Sequence, residues 1–356
     1  MNIKSMTTQH IKSGLSINTH FGCSLGCAYC ILTSLSNVAE PKKIAEVSEL
    51  EDLLFNSNDY YLKDKTTLMV NNVTDPFLPQ VSESTYEVLD MLVKNNVKSP
   101  VIMITKLSPT HDLKRYLGKL NLIVFYTFSG LEPPIEIRPM KLTIKRMNDF
   151  VSKVPFEMRY HYFRPMIEGV NDKDEVIRRV IGGVHDKFRG TVAGGLRVLP
   201  KSRAKLAEKG RVVLIERNYD KAHKFLAEGI TQRIWKIRDE IAPDYPLFRH
   251  TSCVIATHIG EPEALGQIFK ENQCDPRCSQ HEKCLAFKPK IDEKLINYIK
   301  SHTGAPFSID NDTIVFNGEI SEELKGSIRM TSGFKVKADK IAYSDSESEL
   351  LNGEQK

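Results

Sequence analysis

HFGCSLGCAYCILTS, residues 20–34, contains three cysteines within eight positions. Cys23, Cys27 and Cys30 have the spacing C-x3-C-x2-C, in a chain with only 7 cysteines. Cysteine thiolates bind zinc ions or iron-sulfur clusters, and a structural zinc site normally has four protein ligands. Because no fourth cysteine lies nearby, three thiolates on a cubane cluster would leave one iron open for a small molecule. A structural zinc site is the alternative interpretation.

The cysteine stretch overlaps the end of the first of six short apolar segments that we expect to form β-strands. These segments occupy residues 15–20, 66–73, 101–106, 121–130, 156–165 and 190–200. Amphipathic helical patterns such as STYEVLDMLVKNNV lie between them. Repeated β-then-α units predict an α/β fold with a parallel sheet, either doubly wound or curled into a barrel. In both forms the chemistry lies at the carboxyl ends of the strands, where the three cysteines would be.

The bulk composition is that of an ordinary globular protein. The chain has 356 residues, 41% hydrophobic and 27% charged, which suggests about two domains. It has neither a secretory signal nor a run of about 18 apolar residues that could span a bilayer, so we expect a cytoplasmic protein without a membrane partner. Thiols stay reduced there, which favours metal binding. The net charge of +5 is mild, and the basic run at 201–211 could contact phosphate or form a solvated helix face.

Beyond about residue 215 the pattern changes. We expect a long helix over residues 219–241, and later a small α+β element in which Asn317 and Gly318 turn a hairpin. The predicted organisation is an N-terminal extension (1–14), a barrel (15–215), a helical connection (216–250), an auxiliary metal-cluster region (251–290) and an α+β element with an acidic tail (291–356).

Four cysteines remain when the first three are set aside: Cys253, Cys274, Cys278 and Cys284. Four thiolates can close a metal site, so a second iron-sulfur cluster is the leading prediction, with a zinc site or free thiols as alternatives. Three histidines lie close enough in sequence to replace one cysteine: His250, His258 and His281.

The spacing of the first triplet, with Tyr29 just before its last cysteine and a predicted barrel strand ahead of it, resembles the motif of the radical S-adenosylmethionine superfamily. Four more segments resemble the spore photoproduct lyase branch: NNVTDPFLP at 71–79, ITK at 104–106, RPMIEGVND at 164–172 and LRVLP at 196–200. They lie at the ends of the second, third, fifth and sixth predicted strands. The resemblance covers roughly residues 15–200 and implies a partial (β/α)6 TIM-like barrel with an added C-terminal cysteine cluster.

The resemblance also implies a chemistry. A [4Fe-4S] cluster on the cysteine triplet would bind S-adenosylmethionine and cleave it reductively to a 5'-deoxyadenosyl radical, with electrons from a flavodoxin- or ferredoxin-type donor. The implied cofactor-binding residues are Tyr29, Thr74, Asp75, Lys106, Thr127, Ser129, Asn171 and Arg197. Thr74 and Asp75 would face the methionine amine, and Lys106 the carboxylate. Turn or helix-cap roles are the alternatives for Asp75 and Asn171.

Three function classes stay open. The branch implies a radical enzyme acting on nucleic acid or a nucleobase. The C-terminal cysteines resemble the auxiliary-cluster domains of radical enzymes that modify peptides, although their spacing differs, so a peptide or small metabolite is the alternative substrate. The third class is a non-enzymatic, zinc-bound nucleic-acid module. Spore photoproduct lyase uses a cysteine near its barrel as hydrogen donor, and no cysteine lies between Cys30 and Cys253. If both clusters are real, no thiol is left for that role, so we do not expect thymine-dimer repair.

Overall fold

The computed structural model describes residues 8–11, 14–30, 32, 40–56, 66–197, 200–210, 212, 226, 229–263 and 275–342. Their strands are β1 (Thr8–Ile11), β2 (Gly14–Ile17), β3 (His20–Phe21), β4 (Lys42–Lys43), β5 (Leu68–Val70), β6 (Pro100–Thr105), β7 (Asn121–Thr127), β8 (Arg159–Met166), β9 (Thr191–Gly195), β10 (Leu247–Phe248), β11 (Phe307–Asp310), β12 (Thr313–Ser321) and β13 (Lys335–Ala342). Their helices are α1 (Val47–Phe55), α2 (Ser82–Lys94), α3 (Met140–Lys153), α4 (Asp174–Val184), α5 (Pro200–Glu208), α6 (Ile230–Ile241), α7 (Thr251–Ile259), α8 (His281–Ala286), α9 (Glu293–His302) and α10 (Glu322–Ser332).

An eight-stranded sheet with the order β1-β2-β5-β6-β7-β8-β9-β10 forms the centre of the fold. β1 is antiparallel to β2, and from β2 to β10 all neighbours are parallel. The predicted α/β fold with a parallel sheet is confirmed, and each of the six predicted segments overlaps an observed strand of this sheet. The sequence analysis missed β1 and β10, because the segments TQHI and LF are too short to show a period.

The two faces of the sheet have separate cores. In β7, Leu122 and Val124 point into the large core that the helices α1 to α4 and α6 cover, whereas Ile123 and Phe125 point the other way, into an inner core. α7 covers this inner face, where its residue Val254 packs. The first cysteine-bearing helix of the C-terminal region therefore packs on the inner face of the main sheet, which the sequence analysis did not anticipate.

The C-terminal element contains α9, α10 and a three-stranded sheet in the order β11-β12-β13. The hairpin prediction was wrong in position. β11 and β12 turn at Asn311 and Asp312, where Asn311 has a φ of 51°. Gly318 lies inside β12 with a φ of 139°, where the register between β12 and β13 shifts. The glycine therefore serves an irregularity within a strand and not a turn.

The helix predicted over residues 219–241 is shorter in the part that the structure describes. α6 begins at Ile230, because Gly229 ahead of it has the left-handed φ of 73° and ends the helical path. Residues 264–274, which include Cys274, and the acidic tail from 343 lie outside the described residues. Among the helices described, none is long and apolar enough to cross a membrane. The predicted domain boundaries stay predictions.

Candidate functional site

The three cysteines of the first motif lie on the loop that follows β3. The backbone N–H of Gly22 donates to the carbonyl of Val73 at 3.1 Å, which ties this loop to the segment after β5. Gly26 adopts a φ of 70°, a conformation that favours glycine, and so turns the chain just before Cys27. The basic run after β9 forms α5, and its Lys205 donates from Nζ to the carbonyl oxygen of Cys27 at 3.1 Å. The cysteine loop is thus held on two sides.

The thiols lie close enough to influence one another. The pKa of Cys23 is raised to about 11, chiefly by burial and in smaller part by the nearby charges of Asp75 and Cys30. Burial also raises the pKa of Cys27, whereas the positive charge of Lys106 lowers it. Without metal these two thiols keep their protons near neutral pH, and metal binding would displace them. The cysteines, the loop after β5 and the end of β6 therefore share one environment.

Asp75 holds the loop after β5 against the end of β6. Its carboxylate accepts hydrogen bonds from the Thr105 hydroxyl at 2.8 Å, the Lys106 backbone N–H at 2.8 Å and the Phe77 backbone N–H at 3.1 Å. The residue is only 5% exposed, and burial raises its pKa although the hydrogen bonds oppose this. In the structure Asp75 therefore holds the loop after β5 against the end of β6. Its contact with the methionine amine stays a prediction.

Glu136, in the loop after β7, is a site residue that the sequence analysis missed. Its carboxylate accepts a 2.6 Å bond from Lys106 Nζ and a 2.8 Å bond from the Tyr29 hydroxyl. Burial raises the pKa of Glu136, but the charge and hydrogen bond of Lys106 outweigh burial and hold the pKa below its ordinary value. Glu136 is also 3.5 Å from Cys27 Sγ, although 109 residues separate the two in sequence. No motif of short spacing could have linked Glu136 to Cys27. The only sequence signal for Glu136 was its position in the loop after a predicted strand.

Thr127 is the last residue of β7, and Ser129 lies two residues beyond it. Both continue the every-second-residue pattern of Ile123 and Phe125, which point into the inner core. They line a small cavity together with Lys106, Glu136 and Arg138, so the structure brings three of the predicted cofactor-binding residues together.

Several of the predicted residues have buried polar atoms without a hydrogen-bond partner in the described structure: Thr74 Oγ1, Ser129 Oγ and Arg197 Nε. Leaving a buried polar group unsatisfied costs about 1–3 kcal/mol. Such groups point to a polar ligand, and the methionine end of S-adenosylmethionine offers an amine and a carboxylate. The three thiols supply the donor set of an iron-sulfur cluster with one open iron, and these polar atoms suit the cofactor. In the described structure the thiols do not have the arrangement of a single metal-ion site.

Asn171 differs from these residues because its side chain is already occupied. Its amide Nδ2 donates to the carbonyls of Ser129 at 2.7 Å and Pro165 at 2.9 Å, while its Oδ1 accepts from the Ile167 N–H at 2.6 Å. Both amide hydrogens are therefore used to join the loops after β7 and β8. This geometry favours the structural alternative for Asn171 over a contact with the cofactor.

The C-terminal cysteines are spread over two helices and a turn. Cys253 lies on α7 and packs against the inner core. Cys278 lies in the turn before α8, and Cys284 on α8 is buried, its Sγ accepting from the Glu263 N–H at 3.3 Å. Burial raises the pKa of Cys284, and the charge of Cys278 contributes, so these two thiols are neighbours.

A metal site at these cysteines is not established. In the described ranges, from which Cys274 is missing, no group of three His, Cys, Asp or Glu side chains has the arrangement of a metal-ion site. His258, a predicted substitute ligand, contacts Arg189 at 3.3 Å and the ring of Tyr160 in the inner core. The second cluster therefore stays a prediction.

Comparisons with solved structures identify the fold. A spore photoproduct lyase variant with bound AdoMet and dinucleoside spore photoproduct matches with a TM-score of 0.53 at 10% identity, over 70% of this chain and 81% of that chain. The lyase complexed with dinucleoside spore photoproduct matches with a TM-score of 0.50 at 9% identity, over 69% and 79%. No family model matches the sequence, and no curated protein matches it. The resemblance inferred from the motifs is confirmed at the level of structure: the chain has the fold of spore photoproduct lyase.

Proposed function

We propose that the protein is a radical S-adenosylmethionine enzyme that acts on nucleic acid or a nucleobase. The observation that carries this proposal is that Lys106, whose charge acts on Cys27, lines one cavity with Thr127 and Ser129 at the carboxyl ends of the strands. The likeness to a lyase with bound AdoMet and a dinucleoside lesion supports it.

In this proposal Cys23, Cys27 and Cys30 hold a [4Fe-4S] cluster and leave one iron for the cofactor. When bound, the cluster and S-adenosylmethionine supply a 5'-deoxyadenosyl radical that removes hydrogen from the substrate. Lys106 binds the methionine carboxylate through a charged hydrogen bond, while Thr74 and Ser129 offer hydroxyls that are unpaired in the described structure.

The surroundings of this site also suit the proposal. Aromatic residues such as Phe125 and Tyr162 of the inner core lie below the site and would help to exclude water from the radical. We further propose a flavodoxin- or ferredoxin-type electron donor and a reducing compartment such as the cytoplasm, which suits cysteines that form no disulfide among the described residues.

A second candidate is the modification of a peptide, assisted by a second cluster at Cys253, Cys274, Cys278 and Cys284. The observation that favours it is β11, which pairs only with β12 in the described structure and exposes Ser308, Ile309 and Asp310. A free strand edge can bind an extended peptide by adding a strand. Arg277, next to Cys278, also anchors this region by stacking on Trp235 of α6 at 4.9 Å.

Anaerobic reconstitution with iron and sulfide tests the proposal. The protein should gain a cluster and, after reduction, cleave S-adenosylmethionine to 5'-deoxyadenosine, whereas Cys27→Ala should do neither. Ser24→Ala, an exposed change in the same loop, is the matched control and should behave as the wild type. Cleavage by a variant that lacks all three cysteines would refute the assignment.

The substrate class needs a separate measurement. A gel-shift titration with DNA and RNA oligonucleotides should show binding that weakens with salt, as phosphate contacts require. Binding to unrelated peptides but not to nucleic acid would favour the second candidate.

A further inference from the structure

Glu136 brings a buried negative charge against the sulfur of a proposed cluster ligand. Its Oε1 is 3.5 Å from Cys27 Sγ, and its side chain is only 7% exposed. Three other groups donate to the same carboxylate: Lys106 Nζ at 2.6 Å, the Tyr29 hydroxyl at 2.8 Å and the Ile137 backbone N–H at 3.0 Å. A carboxylate with this many donors is stabilised in its charged form.

The backbone around Glu136 holds it in this position. The Ala28 N–H donates to the Ile135 carbonyl at 3.1 Å, so the loop after β7 is bonded directly to the cysteine loop. Ala28, Leu131 and Ile135 also share one small apolar core with Leu206 of α5. The carboxylate therefore cannot move away from Cys27 without breaking this packing.

The negative charge of Glu136 is important because the Cys27 sulfur loses its proton when it binds a metal. In the metal-free protein the Cys27 thiol donates to Glu136, but a ligating cysteine has lost its proton. The carboxylate then faces a thiolate, and Lys106, whose side chain is 17% exposed, is its counterion. A fixed negative charge beside a cluster disfavours the arrival of a further electron, since interactions in this shell tune reduction potentials.

We propose that Glu136 is a positioning residue that lowers the reduction potential of the cluster on Cys23, Cys27 and Cys30, while it holds Lys106 and Tyr29 beside that cluster. The inference rests on the proposed function, because it needs a cluster at this triplet. A lower potential makes the reduced cluster a stronger reductant, which suits the reductive cleavage of a sulfur-carbon bond. The carboxylate thus contributes to the chemistry without touching the substrate.

Redox titration of the reconstituted protein, followed by electron paramagnetic resonance without S-adenosylmethionine, tests this directly. Glu136→Gln keeps the size and the acceptor oxygen but removes the charge. At a fixed potential it should raise the ratio of reduced to oxidised cluster by about tenfold or more, and tenfold corresponds to about 59 mV for a one-electron couple. The potential should move in the positive direction.

Two further variants separate charge from structure. Glu136→Asp is shorter but keeps the charge, so its potential should lie closer to that of the wild type than to that of Glu136→Gln. Glu132→Gln makes the same chemical change in the same loop, where the Glu132 side chain accepts only the Met140 N–H at 3.0 Å among the bonds described. This control should titrate as the wild type.

The outcomes are distinct. An unchanged potential in Glu136→Gln, or equal shifts in the Gln and Asp variants, would overturn the inference while the proposed function stood. Failure of the wild type to assemble a cluster would instead overturn the proposed function. If only Glu136→Gln fails to load iron, Lys106→Gln is titrated in its place; it removes the opposite charge and should lower the potential, and a rise would contradict the inference.

Discussion

The backbone N–H of Lys106 donates a 2.8 Å hydrogen bond to the carboxylate of Asp75. This bond joins the loop after β5 to the end of β6, two segments that the motif comparison had assigned separately to the cofactor. Asp75 accepts from Thr105 and Phe77 as well. Asp75, which the motif assigned to cofactor binding, therefore also stabilises the structure of the site. Experiment can separate the two roles.

Replacement of Asp75 should destabilise the metal-free protein. Asp75→Ala leaves two backbone N–H groups, of Lys106 and Phe77, without their acceptor, which should cost about 2–4 kcal/mol of unfolding free energy. Urea unfolding followed by circular dichroism measures this. Asp339→Ala, at an exposed position of β13, should leave stability unchanged. Wild-type stability together with a loss of cofactor binding would show that Asp75 acts only on the cofactor.

Replacement of Ser129, unlike that of Asp75, should leave the stability of the metal-free protein intact and weaken cofactor binding. Its hydroxyl is buried without a partner in the described structure, so Ser129→Ala should leave the stability of the metal-free protein equal or higher by about 1 kcal/mol. If the hydroxyl contacts S-adenosylmethionine, the affinity of the cluster-loaded protein should fall roughly 2- to 10-fold. Equilibrium dialysis measures the affinity, and urea unfolding the stability.

Ser82 provides the matched control for this prediction. It is also buried, but its hydroxyl lies 3.1 Å from Thr110 Oγ1. Ser82→Ala should therefore lower stability and leave the affinity for S-adenosylmethionine unchanged. Equal effects of both alanine variants on affinity would remove Ser129 from the proposed site.

Stability should fall as the pH drops from about 6.5 towards 4, in part because of His161. This ring is fully buried between the Phe128 carbonyl and the Thr191 hydroxyl, and burial lowers its pKa to about 4. The unfolded chain takes up a proton on this histidine below about pH 6.5, whereas the folded protein does not until the pH approaches 4. The contribution of His161 to the free energy of unfolding is therefore complete above about pH 6.5 and is lost as the pH falls. His258, whose pKa burial and then the charge of Arg189 lower to about 4, adds to the same slope.

Unfolding in urea at pH 7.5 and pH 5 tests this dependence. His161 alone should account for a loss of about 2 kcal/mol between these values. His161→Gln should therefore show a smaller loss than the wild type, whatever its stability at pH 7.5. His111→Gln, a change at an exposed position, should keep the wild-type dependence. An unchanged slope in His161→Gln would mean that the ring takes up its proton at the same pH in the folded and the unfolded chain.

The C-terminal cysteines predict a metal count. If they bind a second cubane, full reconstitution should give about eight irons per chain, four for each cluster. Changing Cys274 and Cys278 together to alanine should halve the iron but leave cleavage of S-adenosylmethionine detectable. A wild-type count of about four irons plus one zinc would replace the cluster by a structural zinc. Four irons without zinc would leave these thiols free and reopen the question of a thiol hydrogen donor.

The sequence by itself determined where six strands of the parallel sheet lie along the chain and that the triplet follows the first of them. Alternating apolar runs and amphipathic segments carry a local period, and parallel strands joined by helices bring their carboxyl ends to one edge. Cys23, Cys27 and Cys30 are close in sequence, so their proximity needed no knowledge of the fold. Lys106 and Thr127 lie at the carboxyl ends of two strands, so the sequence also placed them at this edge of the sheet.

Only the tertiary structure decided which of these residues are free to bind a ligand. Asn171 looks like a site residue in the sequence, but its amide hydrogens are used by two carbonyls of neighbouring loops. Glu136 looks like an ordinary loop acid, yet it meets Lys106 and Cys27, from which it is separated by 30 and 109 residues. A hydrogen bond depends on where atoms lie after the chain has folded, and sequence spacing reports such positions only within one turn or strand.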